Sequence, residues 1–135
     1  MEFFMRFIVL LISLLLLPSL NWAEEKKESE GPVIEYLEFT PKFTVNLAEP
    51  RKYLMINVQM LAEGEKDVAK IKKHMPALRH ELIMLFTGRP ADQLQTMEQR
   101  EALRQETVAA IRTTLDKVEN SDGFRDVFFT EFLTD

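Results

Sequence analysis

Two histidines are the first candidates for chemistry in this chain, and both fall in one segment with helical periodicity. His74 and His80 are six positions apart, so a helix that turns about 100° per residue separates them by ~600° and points them in opposed directions. The i, i+4 spacing that lets two histidines share a metal ion is therefore missing. We expect both to be ordinary surface residues.

Nucleophilic and nucleotide-dependent chemistry also lack their usual residues. The chain has no cysteine, its last serine is Ser121 in a turn-like stretch, and its four glycines form no phosphate-binding loop. Glu63, Glu65 and Asp67 alternate before a helix, but the other oxygen ligands of a calcium loop are missing, which favours helix capping. A paired-carboxylate hydrolase site is compatible with the sequence, yet no pattern selects it. We predict that the protein is not an enzyme and uses no metal or cofactor.

The seven methionines raise one further possibility, because thioether sulfur binds Cu(I). Met75 falls on the apolar stripe of a predicted helix and Met60 on the inward side of a predicted strand, whereas Met1 and Met5 belong to the apolar N-terminal segment. Core packing is therefore the favoured interpretation.

The elements that position these residues follow an apolar N-terminal segment. Residues 7–17 carry no charge, Pro18 ends the run, and Ala23 offers a small residue before a polar stretch, as in a cleaved signal peptide. A signal anchor is the alternative, since residues 3–23 would extend roughly 31 Å as a helix and just span a ~30 Å hydrocarbon core. Under both interpretations of residues 1–23, the rest of the chain is exported.

Composition divides the remainder into a tether and one domain. Residues 24–32 hold only charged residues, Ser, Gly and Pro, so they predict a tether that buries nothing. Residues 33–135 suit a single domain. The net charge of −5 and the lack of a long basic run argue against nucleic acid as a partner.

Two alternating segments predict a β-hairpin. Apolar and polar residues alternate over residues 37–47, where Pro41 indicates an edge or a bulge. Residues 48–51 supply a turn, and residues 53–61 form the second strand with Asn57 and Gln59 outward. The predicted inward side chains are Leu37, Phe39, Phe43, Val45, Leu47, Leu54, Ile56, Val58 and Met60.

The period then changes to that of a helix. Apolar residues at alternating steps of three and four predict a helix over residues 65–87, ended by Gly88 and Pro90. Pro76 lies inside it, and since the apolar stripe keeps its phase on both sides we expect a kink. The predicted buried side chains are Val68, Ile71, Met75, Leu78, Leu82 and Leu85.

A second helix and a last strand complete the order β-β-α-α-β. Thr96 and Gln99 form a capping-box signal for a helix that runs to about residue 118. Residues 120–123 have strong turn chemistry, and residues 124–133 are rich in aromatic and β-branched residues. The predicted apolar face of the helix is Val108, Ile111, Leu115 and Val118; on the strand, Phe128, Thr130 and Phe132 share one face, and Val127, Phe129 and Leu133 share the other.

These elements predict an α+β domain of two layers. Each predicted helix of about 22 residues measures ~33 Å, which matches a strand of ten residues at ~3.3 Å each. Two long antiparallel helices can therefore lie along a three-stranded sheet that the last strand closes.

Surface charge supplies the candidates for a partner surface. The second helix carries a face of alternating charge, which in most proteins is simply solvated. Guanidinium groups suit charged interfaces, so the interface candidates are Arg79, Arg89, Arg100, Arg104 and Arg112.

Four stretches, in this order, resemble the flagellar basal-body protein FliL family. They are Phe43-Thr-Val-Asn-Leu47 with Arg51-Lys-Tyr-Leu54, Met75-Pro-Ala-Leu-Arg79, residues 92–96, and residues 127–132. No single stretch is specific, but their order and spacing together are.

The resemblance implies a bacterial inner-membrane protein with a periplasmic domain similar to the stomatin (SPFH) fold. It implies a homo-oligomeric ring around the stator units of the flagellar motor, without catalysis, that supports rotation or swarming. The alternative is a free periplasmic binding module that has the same fold and no motor role, consistent with a cleaved signal peptide.

Overall fold

The computed structural model describes residues 32–135, so the predicted signal segment and nearly all of the tether lie outside the described residues. Among the helices of residues 32–135, none has both the length and the apolar character to cross a bilayer. The elements in chain order are β1 (Ile34–Glu38), β2 (Phe43–Asn46), β3 (Tyr53–Glu63), α1 (Glu65–Lys73), α2 (Met75–Phe86), a 3₁₀ turn (Ala91–Gln93), α3 (Met97–Val118) and β4 (Phe124–Thr134).

The sheet is antiparallel and centred on β3. β4 pairs along one edge of β3, while β1 and β2 lie end to end along the other, opposite residues 59–63 and 53–56 respectively. The prediction of a single first strand is therefore wrong: Pro41 has no N–H to donate, and the chain leaves the ladder between Glu38 and Phe43. The sheet thus has four strands but is only three strands wide, because β1 and β2 share one side of β3.

The predicted hairpin faces are confirmed. The inward side chains of β3 (Leu54, Ile56, Val58 and Met60) are fully buried, and so are Phe39 and Phe43 on the edge opposite them. These residues form the core together with the helices, which all cover the same face of the sheet. The domain is thus α+β with two layers, as predicted.

The faces of β4 differ from the prediction because the strand contains two irregularities. The register against β3 shifts between Asn57 and Val58 and again between Leu61 and Ala62, which leaves Thr130 and Arg125 as extra residues on β4. Each extra residue reverses the alternation of side chains. The inward side chains are therefore Phe124, Val127, Phe129 and Phe132, not two strictly alternating sets.

The first predicted helix is two helices. His74 separates α1 from α2 with φ −98° and ψ 10°, and its carbonyl accepts from the Leu78 amide at 3.0 Å. Pro76 then lies in the first turn of α2, where its missing N–H is not needed. The prediction of one kinked helix is thus wrong, because the chain forms two separate helices here. Ile71, Leu78 and Leu82 are nevertheless buried as predicted.

The second predicted helix, α3, begins as predicted. The Gln99 amide donates to the Thr96 hydroxyl, and the Thr96 amide donates to the Gln99 side chain, both at 3.1 Å. Ile111 and Leu115 are buried as predicted, whereas Val118 is exposed, against prediction. The buried stripe also includes Leu103, Thr107 and Thr114. This stripe is hard to recognise in the sequence because threonine is a polar residue. Thr107 and Thr114 can be buried because their hydroxyls donate to carbonyls four residues earlier, at 2.8 Å each.

Close packing and hydrogen bonds hold the turn between α3 and β4 against α1. Gly123 has φ +78°, and a Cβ placed there would lie 2.2 Å from the Asp67 Cβ. The Lys70 ammonium, with its side chain only 9% exposed, donates to Asp67, to Asn120 and to the Asp122 carbonyl at 2.5–3.0 Å. The predicted turn therefore owes its position to the buried lysine as well as to its own chemistry.

Candidate interaction surface

The five arginines predicted as interface residues do not form one patch. Arg79 lies on α2, where its guanidinium donates to the Pro41 carbonyl at 2.6 Å and stacks 4.5 Å from the centre of the Phe43 ring. It therefore fastens α2 to the break between β1 and β2. The Arg79 guanidinium is therefore engaged by contacts inside the domain.

Arg89 has a similar internal role at the other end of α2. Its Nε donates to the Leu85 carbonyl at 2.7 Å, which satisfies one of the free carbonyls of the last helical turn. Its terminal nitrogen pairs with Glu106 on α3. Arg89 thus joins the end of α2 to α3.

Arg104 is the most heavily bonded of the five. It contacts both oxygens of Glu101 at 2.7–2.8 Å, Asp126 at 2.5 Å and the Val127 carbonyl at 3.0 Å. The hydrogen bonds from Arg104 and then Gln105 lower the pKa of Glu101 to about 2. The hydrogen bonds that Arg104 donates to Glu101 and then to Asp126 hold the pKa of Arg104 above its usual range. Arg104 therefore ties α3 to β4.

Arg100 and Arg112 are the two whose terminal guanidinium nitrogens have no hydrogen-bond partner among residues 32–135; Arg112 is exposed and Arg100 is half-buried. Arg112 stacks 5.2 Å from the centre of the Phe124 ring, and Arg100 stacks 4.5 Å from the centre of the Phe132 ring. Arg100 also donates from Nε to the Leu94 carbonyl at 3.3 Å. Within residues 32–135, neither guanidinium has a carboxylate partner within 4.0 Å.

Arg100 stands beside an open groove between α3 and β4, which we call the β4 groove. It has a volume of about 300 Å³ and is lined by Met97, Arg100, Glu101, Arg104, Phe128, Phe129 and Phe132. Met97 is 81% exposed. Met97, Arg100 and Arg104 share one side of α3 because they are three and four residues apart. The expectation that methionines pack in the core missed Met97, whose position just after the cap at Thr96 was the available signal.

The outer face of the sheet is a second exposed apolar surface. Ile34, Tyr36, Phe128 and Leu133 are all at least 39% exposed. Tyr36 and Phe128 contact each other across β3, with ring centres 6.2 Å apart. No helix of residues 32–135 covers this side, because all three pack on the other face.

The remaining candidates for chemistry are occupied by structural contacts. His74 and Glu119 are 2.6 Å apart, and this hydrogen bond is the main cause of the lowered pKa of Glu119. His74 is therefore half-buried and hydrogen-bonded, not the ordinary surface residue we predicted, whereas His80 is exposed as predicted. Glu63 pairs with Arg125. Across residues 32–135, no cluster of three or more potential His, Cys, Asp or Glu ligands could hold a metal ion.

A family comparison covers nearly all of the domain that carries these surfaces. Residues 36–134 match the model of the flagellar basal body-associated protein FliL. The chain belongs to the FliL family. This confirms the family predicted from the four sequence stretches and identifies a flagellar basal-body-associated protein.

Individual relatives agree with the family assignment. The flagellar protein FliL of Aquifex aeolicus is 30% identical over 95 residues, which cover 69% of this chain and 56% of the relative. The flagellar protein FliL of Escherichia coli K12 is 28% identical over 91 residues, which cover 67% of this chain and 59% of the relative. The chain thus spans less than two thirds of the length of these relatives.

Proposed function

We propose that this protein is a non-catalytic scaffold at the flagellar basal body, which associates with the stator of the motor and supports rotation or swarming. The observation that carries the proposal is the FliL match over residues 36–134, which includes every strand and helix of residues 32–135 except the first two residues of β1. In this proposal the domain is periplasmic, and an uncleaved N-terminal segment anchors it in the inner membrane.

The contacts of the domain are consistent with a scaffold. Potential catalytic side chains such as His74 and Lys70 are engaged in ties between helices and turns. Exposed apolar side chains remain instead on the outer face of the sheet and in the β4 groove. Exposed apolar patches of this kind are typical of surfaces that bind other proteins.

The proposed mechanism is selective binding to one state of the stator. A scaffold that binds the engaged stator more tightly than the idle one shifts the population towards engagement. A tenfold difference in affinity corresponds to about 1.4 kcal/mol, which changes the ratio of the two states tenfold when the scaffold is saturating. Copies of the protein arranged as a ring would apply this preference around each stator unit.

Chemical cross-linking in flagellated cells tests the proposal. The protein is expressed at its native level, cross-linked and purified, and the attached chains are identified by mass spectrometry. Recovery of stator subunits together with copies of the protein itself is the expected result. Failure to recover stator subunits, in cells where a control motor protein does cross-link to them, would contradict the stator association.

The mass of the mature chain tests the proposed anchoring separately. An intact N-terminus in the membrane fraction agrees with an anchored scaffold. Loss of residues 1–23 and release into the soluble periplasm would contradict the anchor and favour a free binding module. This measurement does not depend on whether a stator is captured.

A further inference from the structure

The free edge of β4 is unevenly protected. In an antiparallel ladder, residues that bond the neighbouring strand alternate with residues whose backbone groups point away. Tyr53 and Asp135 exchange both backbone hydrogen bonds, at 2.7 and 3.0 Å, and this sets the phase. Counting from there, with the extra residue at Thr130, the backbone groups of Val127, Phe129 and Phe132 point away from β3.

Side chains bond the outward backbone groups of Val127 but not those of Phe129 and Phe132. The Val127 carbonyl accepts from Arg104 at 3.0 Å, and the Val127 amide donates to Asp126 at 2.8 Å. Among residues 32–135, no such side-chain partner is present for the outward groups of Phe129 and Phe132. An edge strand with unpaired amides and carbonyls is a template for a further strand.

The open part of the edge borders the β4 groove. Phe129 and Phe132 provide the apolar floor, with ring centres 5.9 Å apart, and Met97 stands at the rim. Phe128 also lines the groove although its ring contacts Tyr36 on the outer face, so the groove extends over the β4 edge itself. A strand added here would place alternate side chains over an apolar pocket.

The charge of Arg100 favours some partner strands over others. Arg104 is held by Glu101 and Asp126, whereas Arg100 has no carboxylate within 4.0 Å among the described residues and is positioned on the Phe132 ring. A guanidinium on the rim of an apolar groove favours a carboxylate on the incoming chain, since a charge-assisted hydrogen bond is stronger than a neutral one.

We infer that the β4 groove binds an extended segment of a partner protein, which adds to the free edge of β4 at Phe129 and Phe132, inserts an apolar side chain between Met97 and Phe132, and places an Asp or Glu against Arg100. The inference deepens the proposed function by giving the chemistry of the partner. It does not require that partner to be the stator.

Site-specific photo-cross-linking with the full-length chain tests the inference. A photoreactive p-benzoylphenylalanine replaces Met97 in flagellated cells, and the same residue replaces Met84 as a control, since Met84 is also exposed (65%) but lies on α2. The expected result is a short segment of one partner, containing an apolar residue beside an Asp or Glu, captured from position 97 and not from position 84.

Charge reversal tests the role of Arg100. Arg100→Glu should lower the yield of the adduct about tenfold, because it replaces an attractive charge by a repulsive one. Arg112→Glu is the matched control, because Arg112 also stacks on an aromatic ring but lies away from the groove; it should leave the yield unchanged. Equal losses in the two variants would overturn the assignment of the carboxylate to Arg100.

Amide hydrogen exchange tests the added strand. A synthetic peptide of the captured segment, bound to the full-length chain, should slow exchange at the Phe129 and Phe132 amides at least about tenfold. The Val127 amide, already bonded to Asp126, should change little. Binding without protection of Phe129 and Phe132 would overturn strand addition.

The other outcomes are also decisive. Adducts from position 97 that join two copies of this chain, or that scatter over many unrelated proteins, would overturn the inference of a specific partner segment. A single segment from a protein that is not a stator subunit would support the groove and show that the stator does not bind there, while the stator association itself is tested by cross-linking of the whole protein. Failure of the inference and failure of the proposed function are therefore distinguishable.

Discussion

Gly123→Ala gives the sharpest test of how the domain is packed, because a matched glycine exists elsewhere in the chain. Gly123 and Gly88 have nearly the same backbone conformation, with φ +78° and +79°. A Cβ at Gly88 would meet nothing within 4 Å, whereas a Cβ at Gly123 would lie 2.2 Å from the Asp67 Cβ and 2.6 Å from the Glu63 carbonyl oxygen. The pair separates backbone strain from steric overlap.

The magnitudes follow from these distances. An alanine at positive φ costs about 1–2 kcal/mol, partly offset by roughly 0.4–1 kcal/mol from the lower entropy of its unfolded chain. Gly88→Ala should therefore lower the free energy of unfolding by about 1 kcal/mol. At Gly123 the contact is at least 1.2 Å shorter than the ordinary limit of 3.4 Å, and overpacking adds about 1–3 kcal/mol. We expect a total loss of about 2–4 kcal/mol.

Urea unfolding of the full-length chain, followed by circular dichroism, measures both variants. The midpoint should fall clearly further for Gly123→Ala than for Gly88→Ala, with similar slopes. Equal midpoints for the two variants would refute the packing of α1 against the turn before β4.

Four further substitutions have defined outcomes. Lys70→Met should lower the free energy of unfolding by about 1–3 kcal/mol, because it removes the three charge-assisted hydrogen bonds by which the ammonium joins Asp67 to the turn before β4; an unchanged urea midpoint would contradict this role. Glu119 has a pKa below its ordinary value of 4.5, chiefly through His74, so its contribution is present above pH 4.5 and is lost as the pH falls through the folded-state pKa. Glu119→Gln should therefore flatten the loss of stability below pH 4.5, and an unaltered acid titration by thermal melting would show that the pair has no such effect. Thr107→Val should change the free energy of unfolding by less than about 1 kcal/mol, because the lost hydroxyl only bonds the carbonyl four residues earlier. Leu103→Ala should lower the free energy of unfolding by about 2–5 kcal/mol. Similar melting temperatures for these two variants would contradict the assignment of Leu103 to the core.

Much of the fold could be predicted because alternation and helical periodicity are strong on the buried side. The inward residues of β3 and the stripe of α1 and α2 follow from the sequence for this reason. Two features could not be predicted. The extra residues Arg125 and Thr130 reverse the faces of β4, and an insertion of this kind leaves no local pattern. The buried threonines of α3 are polar in the sequence and apolar in effect once their hydroxyls bond the helix.

The candidate site was less predictable than the fold. Arginine was a reasonable choice of residue type, but sequence alone does not show whether a guanidinium is already used inside the domain. Arg79, Arg89 and Arg104 bond carbonyls and carboxylates of neighbouring elements. Of the five, Arg100 and Arg104 line the β4 groove, and Arg100 alone of these two has no carboxylate partner among residues 32–135. The groove itself depends on contact between α3 and the end of β4, which are distant in sequence, so no local pattern indicated it.

The most direct test of the proposed function is the behaviour of labelled stator units at single motors. Fluorescent stator subunits are followed in cells that contain this protein, in cells that lack it, and in cells that express it again from a plasmid. We expect a shorter residence time and fewer engaged units without the protein, both restored on re-expression. Equal residence times and equal numbers of units in all three strains would contradict the claim that this protein stabilises the engaged stator.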